Sequence, residues 1–222
     1  MGQEIEIKLT IDAAQLDRIL AHPLVVRYSG GTRLHLELFN TYYDTPALEL
    51  YHHRMALRVR REGDRFVQTV KTRGESRNGL SRRGEWEWPL PDEVLQPGLV
   101  PRELWPPGME ERLQGITPVF TTDFNRTLCR VTLPENLFSP GQPAACLELA
   151  LDRGRVSAIR PKGPSSEAIS EIEMELIYGE IVTLQAFSLS VSDGLPVFPC
   201  DVSKAERGYR LLDRETLLTA PD

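Results

Sequence analysis

The amino-acid sequence predicts a mainly β fold of the α+β kind, with its strands closed into an antiparallel β-barrel and helices packed on the outside. Three observations carry this. Apolar and polar residues alternate with period two through most of the patterned segments, which is the side-chain spacing of strands. Nearly every such segment sets an apolar face against one rich in charge or polar groups. Helical spacing is confined to a few short stretches. A sheet that is apolar outward and charged inward inverts a normal core, and closing it under a cover of helices resolves the inversion.

Along the chain, residues 3–10 alternate Glu4, Glu6 and Lys8 with Ile5, Ile7 and Leu9. Asp12 is placed to N-cap a helix carrying Leu16, Ile19 and Leu20, ended by Pro23. Residues 54–61 put Arg58 and Arg60 opposite Leu57 and Val59, and Gly63-Asp64 turns the chain into a returning strand over 65–72. Residues 82–89 place Arg83, Glu85 and Glu87 on one face and Trp86 and Trp88 on the other. With Trp105, these tryptophans are expected to bury outer apolar surface. Residues 101–114 carry a short helical pattern among prolines. Residues 123–133 form a strand with Arg126 in phase with Leu128 and Arg130, and the proline- and glycine-containing stretch 134–144 is an exposed loop. Residues 146–152 and 155–160 are predicted as a hairpin across Arg153-Gly154, and 169–178 as a strand bearing Glu171, Glu173 and Glu175. Residues 180–193 suit a helix ending at Gly194. Ser203 and Glu206 make a capping box for a last helix through Leu218.

Composition narrows the function classes. The chain has 222 residues, 26 Lys plus Arg against 32 Asp plus Glu, and a net charge of −6; 41% of residues are apolar and 26% charged. This excludes bulk disorder and fibrous repeats and suits a single domain over 1–222. There is no run of 18 apolar residues, so no membrane span is expected. MGQEIEIKLT lacks the basic-then-apolar order of a signal peptide, and Glu6 stands where a myristoylation signal needs Ser or Thr. Cys129, Cys146 and Cys200 are odd in number and far apart, as in a protein with reduced thiols. A cytoplasmic location is expected. The acidic balance argues against nonspecific nucleic-acid binding. His52 and His53 are adjacent and point to opposite faces of a strand, which disfavours a histidine metal site. There is no GxxxxGK[ST] phosphate loop, and neither Ser81 nor any cysteine has a base at motif spacing.

A charged face on one strand is most simply solvent exposure. The joint pattern says more. Acidic rows occur at Glu4 and Glu6 and at Glu171, Glu173 and Glu175, while Lys8, Arg58, Arg60, Lys71 and Arg126 supply positive charge. Carboxylates about 7 Å apart on one strand face repel unless a cation lies between them. Oxygen donors suit hard divalent cations, Mg²⁺ or Mn²⁺ rather than zinc. Basic groups facing the same volume would clamp a polyanion, and a phosphate chain satisfies both needs.

These segments resemble the CYTH domains, or triphosphate tunnel metalloenzymes. EIEIK at 4–8 is similar to their ExExK signature, LRVR at 57–60 to a basic strand, and QTVK at 68–71 to the strand that follows it. TTDFNR at 121–126 resembles the central arginine strand, SEIEMEL at 170–176 the late acidic strand, and SKAERGY at 203–209 the C-terminal stretch. The details, including NTYYDTP at 40–46, are most similar to bacterial inorganic triphosphatases. The resemblance implies a tunnel of about eight antiparallel strands and hydrolysis of inorganic triphosphate to pyrophosphate and phosphate with Mg²⁺ or Mn²⁺. It implies metal ligands at Glu4, Glu6, Glu171 and Glu173, with Glu175 a weaker candidate. Triphosphate contacts would come from Lys8, Arg58, Arg60, Lys71, Arg126 and Lys204, and the catalytic set would be Glu4, Glu6, Lys8, Lys71 and Glu173. The substrate would be a small molecule, the protein a monomer or weak dimer without nucleic-acid or membrane partners. Thiamine triphosphatase or class IV adenylate cyclase activity would use the same tunnel. A polyphosphate-binding module would not need the Glu rows. Roles for Arg83 and Arg207 stay open between substrate contact and surface ion pair, and Glu148 and Asp152 between support of the basic side chains and solvation. A lysine at 204, in the first turn of the last helix, opposes the helix dipole. Its loss should then leave the free protein's stability unchanged or slightly higher.

Overall fold

The computed structural model describes residues 2–160 and 163–213. Nine strands are described: β1 (Gly2–Thr10), β2 (Leu34–Asp44), β3 (Ala56–Glu62), β4 (Arg65–Arg77), β5 (Leu80–Leu90), β6 (Thr117–Leu133), β7 (Ala145–Arg160), β8 (Gly163–Tyr178) and β9 (Phe198–Pro199). The helices are α1 (Leu16–Leu20), α2 (Pro23–Tyr28), α3 (Glu49–His52), α4 (Ile181–Ser192) and α5 (Lys204–Asp213). Neighbours run β5-β4-β3-β2-β6-β7-β8-β1, and β1 pairs again with β5, so eight antiparallel strands close into a barrel. The two-residue β9 lies against the end of β1. No helix among the described residues is long and apolar enough to cross a membrane.

Closure follows from the inverted alternation. Ile7 and Leu9 of β1, Leu147, Leu149 and Leu151 of β7, and Ile172 and Met174 of β8 face outward and are buried under Leu16 and Ile19 of α1, Val25 of α2, and Leu184 and Phe187 of α4. On the other flank Leu57 and Val70 pack with Leu50 of α3 and with Trp105 and Met109, while Trp86 and Trp88 lie against this cluster from outside. A third cluster fills one end of the barrel. Tyr209 and Leu211 of α5 pack on Tyr42, Phe120, Val156 and Ile169, so α5 closes that end instead of lying on the outer wall. A Cβ at Gly208 would clash with the Phe120 ring, and this close approach seats α5. Asp44, fully buried, accepts hydrogen bonds from the amides of Thr45, Leu50 and Tyr51 and from the Tyr209 hydroxyl. It is a turn cap.

Several expectations need correction. Residues 146–160 are not a hairpin but one strand, β7. Gly154 pairs opposite Phe124, and a Cβ there would meet the Asp123 carbonyl oxygen. The glycine admits a close strand neighbour rather than a turn. Leu34–Asp44 is a strand between β3 and β6, where no strand is predicted from the sequence. Pro23 does not end the first helix; it starts α2, with His22 as N-cap. Asp12 caps a 3₁₀ turn over Ala13–Gln15 that leads into α1. The 101–114 helix is replaced by 3₁₀ turns at Arg102–Leu104 and Met109–Gly115. Half of the capping box forms: Glu206 N–H donates to Ser203 Oγ at 3.1 Å, while the Glu206 carboxylate accepts from Arg210. The predicted extension of that helix beyond 213 lies outside the described residues.

Candidate active site

The barrel surrounds a cavity of about 1480 Å³ that opens to solvent. Glu4, Glu6, Lys8, Arg58, Arg60, Lys71, Arg126, Glu173 and Lys204 all line it. Nine of the ten predicted site residues therefore share one volume. The tenth, Glu171, is fully buried beside it. They converge because the register puts them on inward faces. Lys8 lies opposite Glu173, Arg126 opposite Asp152, and Glu4 opposite Arg83.

The acids divide into two groups. In the first, Glu4 receives Lys71 Nζ at 3.0 Å and Arg83 Nε at 2.6 Å, and Arg83 also reaches Glu6 at 3.2 Å. Burial would raise the Glu4 pKa, but Lys71 and Arg83 overcome it and hold the carboxyl well below the usual range. Glu6 goes the other way: burial, and then the charge on Glu173, push it up. Glu85 ties Lys71 at 2.7 Å and Arg58 at 3.5 Å. The second group is Asp152, Glu171 and Glu173, which offer oxygens within 4.8 Å of one another. Glu4 and Glu6 are not part of it. Lys204 Nζ stands among these carboxylates, 2.7 Å from Asp152 and 2.8 Å from Glu173 and also paired with Glu171. Arg126 donates two hydrogen bonds of 2.8 Å to Asp152 and a third to Glu173. Burial opposes charge on Glu173, yet Lys204 and Arg126 hold it well below the ordinary range.

The triad fits a hard divalent cation. Its donors are all carboxylate oxygens. Glu171 Oε2 is buried without a hydrogen-bond partner, and a cationic ammonium, paired with Glu171 Oε1, already stands among the three groups. Beside these acids is a positive patch that is only partly compensated. Arg60 has no carboxylate within ion-pair distance among the described residues; its Nε donates to Asn40 at 3.1 Å. Burial, and then the charges of Arg58 and Arg126, push its pKa down to about 10. Arg58 is buried with its Nε unpartnered. Positive groups that repel one another in a cavity suit an anion with several oxygens.

Four residues are underread in the sequence. Arg83 and Glu85 sit inside the barrel as partners of Glu4, Lys71 and Arg58, and their phase on β5 is the signal for it. Asp152 is fully buried in the triad, signalled only by its phase with Glu148. Asn40 lies on the strand that was not predicted. Arg207 pairs with Glu167 and approaches Glu171 at 3.7 Å.

Glu175 also lines the cavity, where burial and then the charges of Glu4 and Glu85 push it up to about 7. An acid with a raised folded pKa contributes stability in full below its unfolded value, near 4.5, and loses it as pH rises through about 7. Glu175→Gln is therefore expected to leave metal-free stability unchanged near pH 4 and to raise it by ~2 kcal/mol near pH 8. Urea unfolding in chelator at the two pH values checks this; no gain at the higher pH would mean that Glu175 ionises freely.

Comparison with known proteins bears on this geometry. The CYTH domain family matches residues 2–209. An inorganic triphosphatase of Haemophilus influenzae is 33% identical over 98% of this chain, which spans 57% of that relative's length. A solved Hippeastrum structure, described as an adenylyl cyclase candidate with dominant triphosphatase activity, superposes with a TM-score of 0.56 at 19% identity and covers 93% of this chain and 96% of its own. The PH1819 protein of Pyrococcus horikoshii superposes at 0.52 with 17% identity, covering 95% and 99%. These two share the fold.

Proposed function

The chain belongs to the CYTH domain family, and from that premise and the contents of its barrel we propose that it is a metal-dependent hydrolase of inorganic triphosphate, yielding pyrophosphate and phosphate. One observation carries the reading: Glu173 of a carboxylate triad and Arg60, an arginine without acidic compensation among the described residues, face one cavity inside the barrel. The relative named inorganic triphosphatase supports the choice of substrate.

Glu171 and Glu173, joined by Asp152, would hold Mg²⁺ or Mn²⁺, with Glu4 and Glu6 as ligands from β1. A bound ion of this kind neutralises phosphate oxygens and lowers the pKa of an attacking water. Arg58, Arg60 and Arg126 bind phosphate oxygens through planar forks, which fixes the chain in line for displacement. Lys8, Lys71 and Lys204 supply point charges where negative charge develops on the transferred phosphoryl and the leaving group. Lys71 and Lys204 are paired with acids in the free protein, so triphosphate oxygens compete with those carboxylates for them. Where the barrel wall shields these groups from solvent, each contact is strengthened.

The test is phosphate release from inorganic triphosphate, ATP and thiamine triphosphate, each with Mg²⁺, Mn²⁺ or chelator. Inorganic triphosphate is expected to turn over at least about tenfold faster than either organic substrate, ~1.4 kcal/mol of discrimination, with no release in chelator. Equal or faster turnover of ATP would overturn the substrate. Tight triphosphate binding without hydrolysis under any metal would favour a polyphosphate-binding module.

A further inference from the structure

Arg126 and Arg60 face the same cavity and are anchored in opposite ways. Arg126 is gripped by a carboxylate, with two hydrogen bonds of 2.8 Å to Asp152. Arg60 is held by a neutral amide: its Nε donates to Asn40 Oδ1 at 3.1 Å. Asn40 is fully buried on the inward face of β2, in register with Arg60 on β3 and Thr122 on β6. Its Nδ2 donates to Thr122 Oγ1 at 3.0 Å, and Thr122 is itself fully buried. With the amide nitrogen committed to β6, the oxygen is what Asn40 presents to β3. Asn40 stands behind Arg60 and does not line the cavity.

We propose that Asn40 is a positioning residue for polyphosphate recognition: it fixes the Arg60 guanidinium by its Nε edge while leaving both Nη groups and the full positive charge free for phosphate oxygens. This rests on the reading of the cavity as a triphosphate site. A long flexible arginine loses conformational freedom on binding, and an anchor meets that cost before the ligand arrives. A carboxylate anchor would orient Arg60 equally well, but it would also neutralise it, and the incoming anion would have to compete with a resident one. An amide orients without neutralising. Arg58 on the same strand face differs: its Nε is buried and unpartnered, but its Nη edge is paired with Glu85 at 3.5 Å, so Arg60 is the guanidinium of the two that meets no carboxylate among the described residues.

The test is a double-mutant cycle on Asn40 and Arg60. It is read by calorimetric titration of inorganic triphosphate in chelator and by steady-state kinetics with Mg²⁺. Asn40→Asp should weaken triphosphate binding at least about tenfold and raise KM in proportion, with kcat within about threefold of wild type. The melting temperature of the ligand-free protein should stay level or rise, because Arg60 gains a counter-charge. Asn40→Ser, which keeps neutrality and loses reach, should weaken binding less than Asn40→Asp does. In an Arg60→Gln background neither change should alter affinity further. If Arg60→Gln weakens binding while Asn40→Asp and Asn40→Ser do not, Asn40 has no positioning role. The same holds if the effects of the two sites add fully, or if both Asn40 variants lower kcat and melting temperature together at constant affinity. If Arg60→Gln itself leaves triphosphate affinity unchanged, the placement of polyphosphate on this patch falls, and this proposal with it.

Discussion

Glu173→Gln is expected to cut metal-dependent phosphate release from inorganic triphosphate by at least about a hundredfold, the scale of losing a charged group that acts at the reacting centre. Glu173 is where the two halves of the site meet. It shares the triad with Asp152 and Glu171, accepts from Arg126 and Lys204, and its charge reaches Glu6 across the β1–β8 pairing. The amide keeps shape and loses charge, so Mg²⁺ titration by calorimetry should weaken along with turnover. Stability should change too, with a definite sign. Glu173 ionises well below the ordinary range in the folded state, so it contributes stability above the unfolded carboxyl value, near 4.5, and loses it as pH falls through the folded one. The variant should be ~1–3 kcal/mol less stable than wild type near pH 7, with the gap closing in acid. Repulsion within the acidic rows would by itself favour the variant, but Arg126 and Lys204 pair with Glu173 and are expected to outweigh it. A variant with a third or more of wild-type activity would remove Glu173 from the metal site.

Lys204→Met should have the largest effect on the free protein. Lys204 is 7% exposed, and its ammonium holds together two fully buried acids and Glu173. Burial disfavours its charge, but Asp152 and Glu171 raise its pKa well above that of a free lysine. Its contribution is therefore complete below about 10.5 and lost only as pH rises beyond that. Removing it near neutral pH leaves buried carboxylates without a cation and should cost ~3–5 kcal/mol in chelator. Glu173, held down chiefly by Lys204, would then take up a proton more readily, so the deficit should shrink as pH falls. Mg²⁺ should stabilise the variant more than it stabilises wild type, since it replaces the missing charge. Turnover should fall tenfold or more. The helix dipole is the smaller effect here, a few tenths of a kcal/mol. Thermal unfolding at several pH values, with and without Mg²⁺, measures all of this. A metal-free variant as stable as wild type would show that the triad does not need the ammonium.

The strand alternation and its inversion were legible because each is a local property. Glu4, Glu6 and Lys8 against Ile5, Ile7 and Leu9 need no partner to be read, and the inversion demands closure with helices outside. The helix cap at Ser203 and the turn at Gly63 were equally local. Gly154 was misread because a glycine that makes a turn and one that admits a neighbouring strand look alike in sequence, and only the approach of β6 distinguishes them. β2 was missed because its alternation of Leu34, Leu36 and Leu38 against His35 and Glu37 breaks at Phe39-Asn40, where its inward face changes from apolar to polar.

The kinds of side chain facing the cavity were set by residue type and phase, and nine of the ten predicted residues line it. Their pairing was set by register and by α5. Lys204 meets Asp152, Glu171 and Glu173 only because α5 closes one end of the barrel beside β7 and β8. Arg83 meets Glu4 only because β5 comes round to pair with β1. Arg60 keeps its charge uncompensated because the residue that β2 places beside it is an amide. A charge pattern along one chain says which groups are available. Which cation neutralises which anion is decided by distances of a few ångströms between residues tens of positions apart, and those distances exist only once the barrel has closed.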